Sequence, residues 1–195
     1  MNQYIIYGAV GLVVLFVIVY VKMTIDEKKG ADSEEKRKIK EIVKRAVPNG
    51  VSYTAAYGTT EDFEIGGGGR RITTTTTYRY FAVAFQSQEF YLVPLSFDGG
   101  DISYSEPLHY TADSFGMAEA GKGMLTLYDK DRRRMFTLFV VESNTKDDKY
   151  HPVNIQQKEE AELFGQFSQT LMQNVNAVNG ITDLKSAKKE AGRMK

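Results

Sequence analysis

Cysteine is absent from the 195-residue chain, tryptophan is absent, and histidine occurs only at His109 and His151. The missing cysteine excludes disulfides, thiolate metal sites and cysteine nucleophiles, and suits a reducing compartment. Two histidines are too few for a multi-histidine metal cage. Charge of one sign is lacking too: 25 Lys+Arg against 25 Asp+Glu leave a formal net charge of zero. A nucleic-acid-binding domain is strongly basic, so no nucleic-acid partner is expected. Proline is scarce: Pro48, Pro94 and Pro107 fall where an element stops, bends or lies at an edge, and Pro152 falls in a polar loop. No GxSxG, HExxH or Walker pattern occurs anywhere, so no enzyme, cofactor or metal is expected.

What the chain does have is an apolar run over residues 4–21, YIIYGAVGLVVLFVIVYV, without a single charge. About 20 such residues let a helix cross roughly 30 Å of hydrocarbon with its backbone satisfied internally. Tyr4, Tyr7 and Tyr20 lie near its ends, where amphipathic rings favour the headgroup level. Residues 1–23 are therefore expected to be a transmembrane anchor and 24–31 a polar tether. Lys22, Lys28, Lys29, Lys36, Arg37, Lys38, Lys40, Lys44 and Arg45 all follow the run and no basic side chain precedes it. The positive-inside rule then puts the N-terminus outside and the rest in the cytoplasm.

Residues 32–50 read as a juxtamembrane helix. Asp32 and Glu35 form a capping-box pattern, Ile39, Ile42, Val43 and Ala46 make one apolar stripe, and Pro48-Asn49-Gly50 stops it. From Val51 the period becomes two. Strands are expected at 51–58, 72–85 and 89–97, then a return strand at 102–110 broken by Pro107, then a hairpin of 124–128 with 133–141. Residues 61–71, with Gly66 to Gly69 at their centre, read as a connection, and 111–123 as a loop. Asn154 is expected to open a long helix with Gln157 as capping partner, and Ala161, Phe164, Phe167, Leu171, Val175 and Val178 form its apolar face. Asn179-Gly180 ends it. The Lys/Arg-rich residues 181–195 are expected to be disordered.

The stretches YRYFAVAFQSQEFYLVPLSFDGGDISYSEPLHY and GKGMLTLYDKDRRRMFTLFV, with the helix beginning NIQQKEEAELFGQF, resemble the small bacterial PH-like and GRAM-like domains of the pleckstrin-homology-like superfold. The resemblance covers residues 51–178 and rests on element order and hairpin texture. It implies an α+β fold over 51–180: a split β-barrel of about six to seven antiparallel strands, capped by a C-terminal amphipathic helix and preceded by the single transmembrane helix. Inositide-reading members carry a basic cluster over their first hairpin. Here 51–58 holds no Lys or Arg, and only Arg70 and Arg71 border the second strand. The resemblance therefore implies a non-enzymatic protein-binding or scaffolding module at the membrane. An extracytoplasmic pilin-like subunit is the alternative, against which stand the position of the long helix at the end and the lack of a basic leader.

Candidate contacts are few. Gly66 to Gly69 with Arg70 and Arg71 feed a strand rather than a helix N-terminus, so they read as a hairpin tip and not a phosphate cradle. Arg132, Arg133 and Arg134 form the densest basic cluster. Together with Arg70 and Arg71 they are the candidate contacts for anionic lipid or an acidic partner, each cation near an anionic leaflet contributing roughly 1 kcal/mol. Asp98 with Asp101, and Asp129 with Asp131, fit turn chemistry rather than an EF-hand. His109 stands in a strand with no motif around it, and His151 in a loop.

Overall fold

A computed structural model describes residues 34–68, 71–98, 101–144, 152–184 and 187, together with Phe16 and Tyr20, and for 62–68 and 71–76 the backbone alone. The expected anchor, tether and Asp32 cap lie outside the described residues, apart from Phe16 and Tyr20, which are helical and exposed. So does most of the expected tail. Among the described residues no helix is long and apolar enough to cross a membrane.

Helix α1 spans Glu34–Ala46, with Glu34 and Glu35 in its first turn and Lys44 and Arg45 in its last, charges that complement the helix dipole. It stops where the sequence predicts. Asn49 takes a left-handed φ of 53°, and Gly50 folds so tightly over the helix end that a Cβ there would lie 2.2 Å from the Val43 carbonyl oxygen. Residues 50–52 then form a 3-10 turn, so the first strand, β1 (Thr54–Gly68), starts later than expected.

β1 pairs in unbroken antiparallel register with β2 (Arg71–Gln86), from Thr54↔Phe85 to Gly68↔Arg71. The expected connection at 61–71 is thus corrected to strand over 61–68 and at Arg71, while 69–70 lie outside the described residues. Glycine tolerates extended backbone, and in the ladder Gly66 is registered with Thr73, Gly67 with Ile72 and Gly68 with Arg71. β3 (Glu89–Asp98) follows the turn at Ser87, and β4 (Asp101–Tyr104) and β5 (Leu108–Thr111) share its outer side. Pro94 fits this interior strand because its carbonyl, accepting from Ser105 N–H at 3.0 Å, faces the break between β4 and β5. Its missing N–H faces that same gap.

The expected loop at 111–123 contains a further strand, β6 (Met117–Gly121), which pairs with β7 (Met124–Tyr128), itself paired with β8 (Arg134–Phe139). Its composition, MAEAG, carries no strand propensity. Partners on β7 make it a strand. β8 joins β1 at Thr59↔Phe139 and Thr60↔Leu138. The result is α+β, an eight-stranded antiparallel sheet in the order β4-β3-β2-β1-β8-β7-β6 with β5 beside β3, plus a small β9 (Ser143–Asn144) and β10 (Ile155–Gln156) pair. Among the described residues the main sheet has eight strands rather than six or seven, because β6 joins and the return strand splits.

Helix α2 runs over Lys158–Val178 and ends at Gly180, with Ile181 N–H on Asn176 O and Gly180 N–H on Ala177 O, a Schellman arrangement. It packs Phe164, Phe167, Leu171 and Val175 against Phe85, Phe90, Leu127 and Leu138 on one sheet face. Val178, expected on that face, is instead 67% exposed, one position past the last inward turn. On the opposite face α1 covers Tyr57, Ala82, Ala84, Val93 and Leu95 with Ile39, Ile42 and Val43. β2 and β3 are therefore buried on both sides, which is why FAVAF reads as a continuous apolar run rather than an alternation. Glu160 of α2 binds the two helices together, 2.9 Å from Lys36 and 3.3 Å from Lys40. Burial pushes its carboxyl up, but the Lys36 ammonium, the backbone N–H of Glu160 and Lys40 together outweigh that and hold it below the usual carboxylate range.

Candidate functional site

The basic residues fall on two hairpins. Arg70 lies outside the described residues, and Arg71 opens β2 at the far end of the β1–β2 ribbon, described by its backbone only. Arg132, Arg133 and Arg134 stand at the β7–β8 turn. Asp129 builds that turn: its carboxylate accepts from Arg133 N–H at 2.8 Å, its N–H donates to Arg133 O at 2.9 Å, and its carbonyl accepts from Arg132 N–H at 3.0 Å. Arg132 takes a φ of 62° to close it and is half-buried, while Arg133 and Arg134 are exposed. Asp129 thus does turn chemistry, as its spacing predicts. Gly116 lies so close behind the turn that a Cβ there would sit 2.2 Å from Asp129 O.

A second constellation escaped the sequence. Glu89 at the start of β3 lies 2.9 Å from His109 Nε2 on β5, accepts from the Tyr53 hydroxyl, and lies 3.5 Å from Gln86 Nε2. His109 stacks on Tyr91 with ring centroids 4.3 Å apart, and Tyr53 meets Tyr91 edge-on. The Tyr53 hydrogen bond, then that of His109, hold the Glu89 carboxyl below its usual range. Burial and the same carboxylate push the Tyr53 hydroxyl up. His109, expected to stand alone, therefore has an orienting acid. The cluster fastens β5 to β3 and to the chain entering β1. Only the pairing register Tyr91↔His109, invisible before the strands are aligned, brings these residues together.

Two side-chain amides each pair with one residue on a border of the sheet. Gln157, expected as a capping partner, makes no cap hydrogen bond and α2 starts after it. Its carboxamide accepts from Tyr57 N–H at 2.8 Å and donates to Tyr57 O at 2.8 Å and Val141 O at 2.9 Å. It replaces the strand that β1 lacks before β8 joins. Asn176 does the same for edge strand β6, accepting from Ala118 N–H and donating to Ala118 O, both at 3.0 Å. The border at β4 and β5 has no such cover among the described residues, and carries exposed Tyr104 and Leu108.

Two open grooves lie among the described residues. One of about 520 Å³ lies between the β2–β3 turn and the end of α2, lined by Gln88, Glu89, Asp113 and Asn174. The other, about 410 Å³, lies between α1 and the start of α2, beside Lys40, Tyr53 and Leu163. Among the described residues no group of His, Asp and Glu is placed to hold a metal ion. Comparison with protein-family models, curated proteins and solved structures finds no match.

Proposed function

We propose that the chain is a single-pass membrane protein whose cytoplasmic domain, a PH-like split barrel, is a non-enzymatic protein-binding or scaffolding module. The observation that carries this reading is the unequal treatment of the sheet's borders. Gln157 holds Tyr57 on one and Asn176 holds Ala118 on another, while among the described residues β4 and β5 keep an open edge with Tyr104 and Leu108 exposed beside it. An uncovered edge strand is a template for an added strand, and side-chain pockets along it supply selectivity. The apolar run at 4–21 supports the anchor, and the order of meander then helix supports the PH-like reading. Arg71 and Arg132 to Arg134 add weak, salt-sensitive attraction to anionic lipid.

A photo-reactive amino acid placed at Tyr104 or Leu108 of the full chain in native membranes tests the reading. A discrete protein adduct is expected at both positions and none at Gln169, on the solvent side of α2. Irradiated membranes that yield no adduct at either position, or the same adducts at Gln169, overturn it.

A further inference from the structure

The ladder between β2 and β3 ends at Tyr80↔Leu95, and that between β1 and β8 ends at Thr60↔Leu138. β1 and β2 nonetheless stay paired out to Gly68↔Arg71. Among the described residues this outer part is a ribbon of two strands, an arrangement marginal in water by itself. Its β2 edge reads ITTTTTY from Ile72 to Tyr78: β-branched or aromatic throughout, with no charge, proline or glycine. Native edges are normally blunted by such residues, and this one is not.

We propose that this β2 edge is an interface between two copies of the chain, which pair antiparallel about a two-fold axis through Thr74 to form one four-stranded ribbon. Register selects that axis. Centred on Thr75, the pairing sets Arg71 directly opposite the Arg79 position of the second copy, like charge against like. Centred on Thr74, it sets Arg71 opposite the second copy's Thr77, Ile72 opposite Thr76 and Thr73 opposite Thr75, all without repulsion. Thr77 is itself registered with Asp62 of β1. Each Arg71 position then shares a row and a face with an Asp62 position two strands away, about 10 Å across the backbone, so positions of opposite charge fall in one row. The row occurs twice, once on each side of the axis. The isologous contact closes on itself and makes a dimer rather than a fibre. This interface is separate from the β4–β5 edge and stands or falls independently of it.

The absence of cysteine makes the test direct, because any introduced thiol is the only one. In Thr74→Cys the two thiols sit across the axis, with Cα atoms about 5 Å apart, within disulfide range. In Thr76→Cys they lie roughly 14 Å apart along the strands. Full-length protein in native membranes, oxidised with copper phenanthroline, should give mostly covalent dimer for Thr74→Cys. At least a fivefold lower yield is expected for Thr76→Cys and for Gln169→Cys. Arg71→Glu added to Thr74→Cys should lower the yield severalfold, and further addition of Asp62→Arg should restore it. Equal yields at 74, 76 and 169, preferential cross-linking at Thr75→Cys, or no rescue by the charge exchange overturns the proposal.

Discussion

Replacing Gln157 by leucine keeps the side chain's bulk and removes the amide that stands in for a missing strand. Gln157 is 1% exposed, and its carboxamide serves Tyr57 N–H, Tyr57 O and Val141 O. The Val141 side of the site is open to water, since that residue is 44% exposed, so its carbonyl can be resolvated. The two Tyr57 groups cannot. A buried polar group left unpaired costs about 1–3 kcal/mol, and the added apolar burial offsets about 1 kcal/mol, giving a net loss of about 3 kcal/mol. With a urea slope of about 1–3 kcal/mol per molar, the unfolding midpoint should fall by roughly 1–3 M. Far-UV circular dichroism of the full chain in detergent, with tyrosine fluorescence as second probe, measures it. Gln166→Leu, on the exposed side of α2, is the control and should lie within about 0.5 kcal/mol of wild type. Gln157→Glu adds a pH signature. Its carboxylate would face two carbonyl oxygens, so the folded state favours the protonated form and raises its pKa. The destabilisation should therefore be small below about pH 4 and grow as pH rises above the ordinary glutamate value. A Gln157→Leu protein that unfolds within about 0.5 kcal/mol of wild type would refute the idea that the amide substitutes for a strand.

Phe164 is fully buried and meets Phe85 edge-on at 5.5 Å, so Phe164→Ala should cost about 3–5 kcal/mol in the same urea titration, and much less would mean that the α2 seam is loosely packed. Glu160 is held below its usual pKa, so its contribution is complete above the unfolded value and is lost as pH falls through the folded one. Glu160→Gln should accordingly show a shallower loss of stability below about pH 5 than wild type, and an unchanged acid limb would remove the Lys36 contact from the account. Gly116→Ala forces the β7–β8 turn backbone to move and should cost about 1–3 kcal/mol by thermal unfolding. Arg133→Glu with Arg134→Glu should abolish flotation of a fragment lacking the apolar run at 4–21 with anionic vesicles at low salt, as should raising the salt alone for the unsubstituted fragment. Binding that survives high salt would rule out a simple electrostatic contact.

Much of the fold could be read from local pattern. The stripe of Ile39, Ile42 and Val43, the turn at Asp129 and the Asn179-Gly180 stop are set by residues within one or two turns of each other, and they appear where expected. The failures are non-local. The glycine run looked like a loop because its threonine ladder lies across the ribbon, and MAEAG became β6 only through its partners on β7. Gln157 is 100 positions from Tyr57, so its neighbours point to a helix cap and its real partner leaves no mark nearby. The Glu89–His109 pair likewise depends on register. Turn residues announce themselves, whereas an amide that closes a sheet border resembles any other polar side chain beside a helix.

Topology is the claim from which the proposed function follows, and a single thiol tests it most directly. Gln169→Cys places one on the exposed side of α2, and Asn2→Cys places one before the apolar run. Intact cells treated with a membrane-impermeant maleimide should label Asn2→Cys and leave Gln169→Cys unlabelled until the membrane is permeabilised. Labelling of Gln169→Cys in intact cells would contradict a domain anchored at the cytoplasmic face.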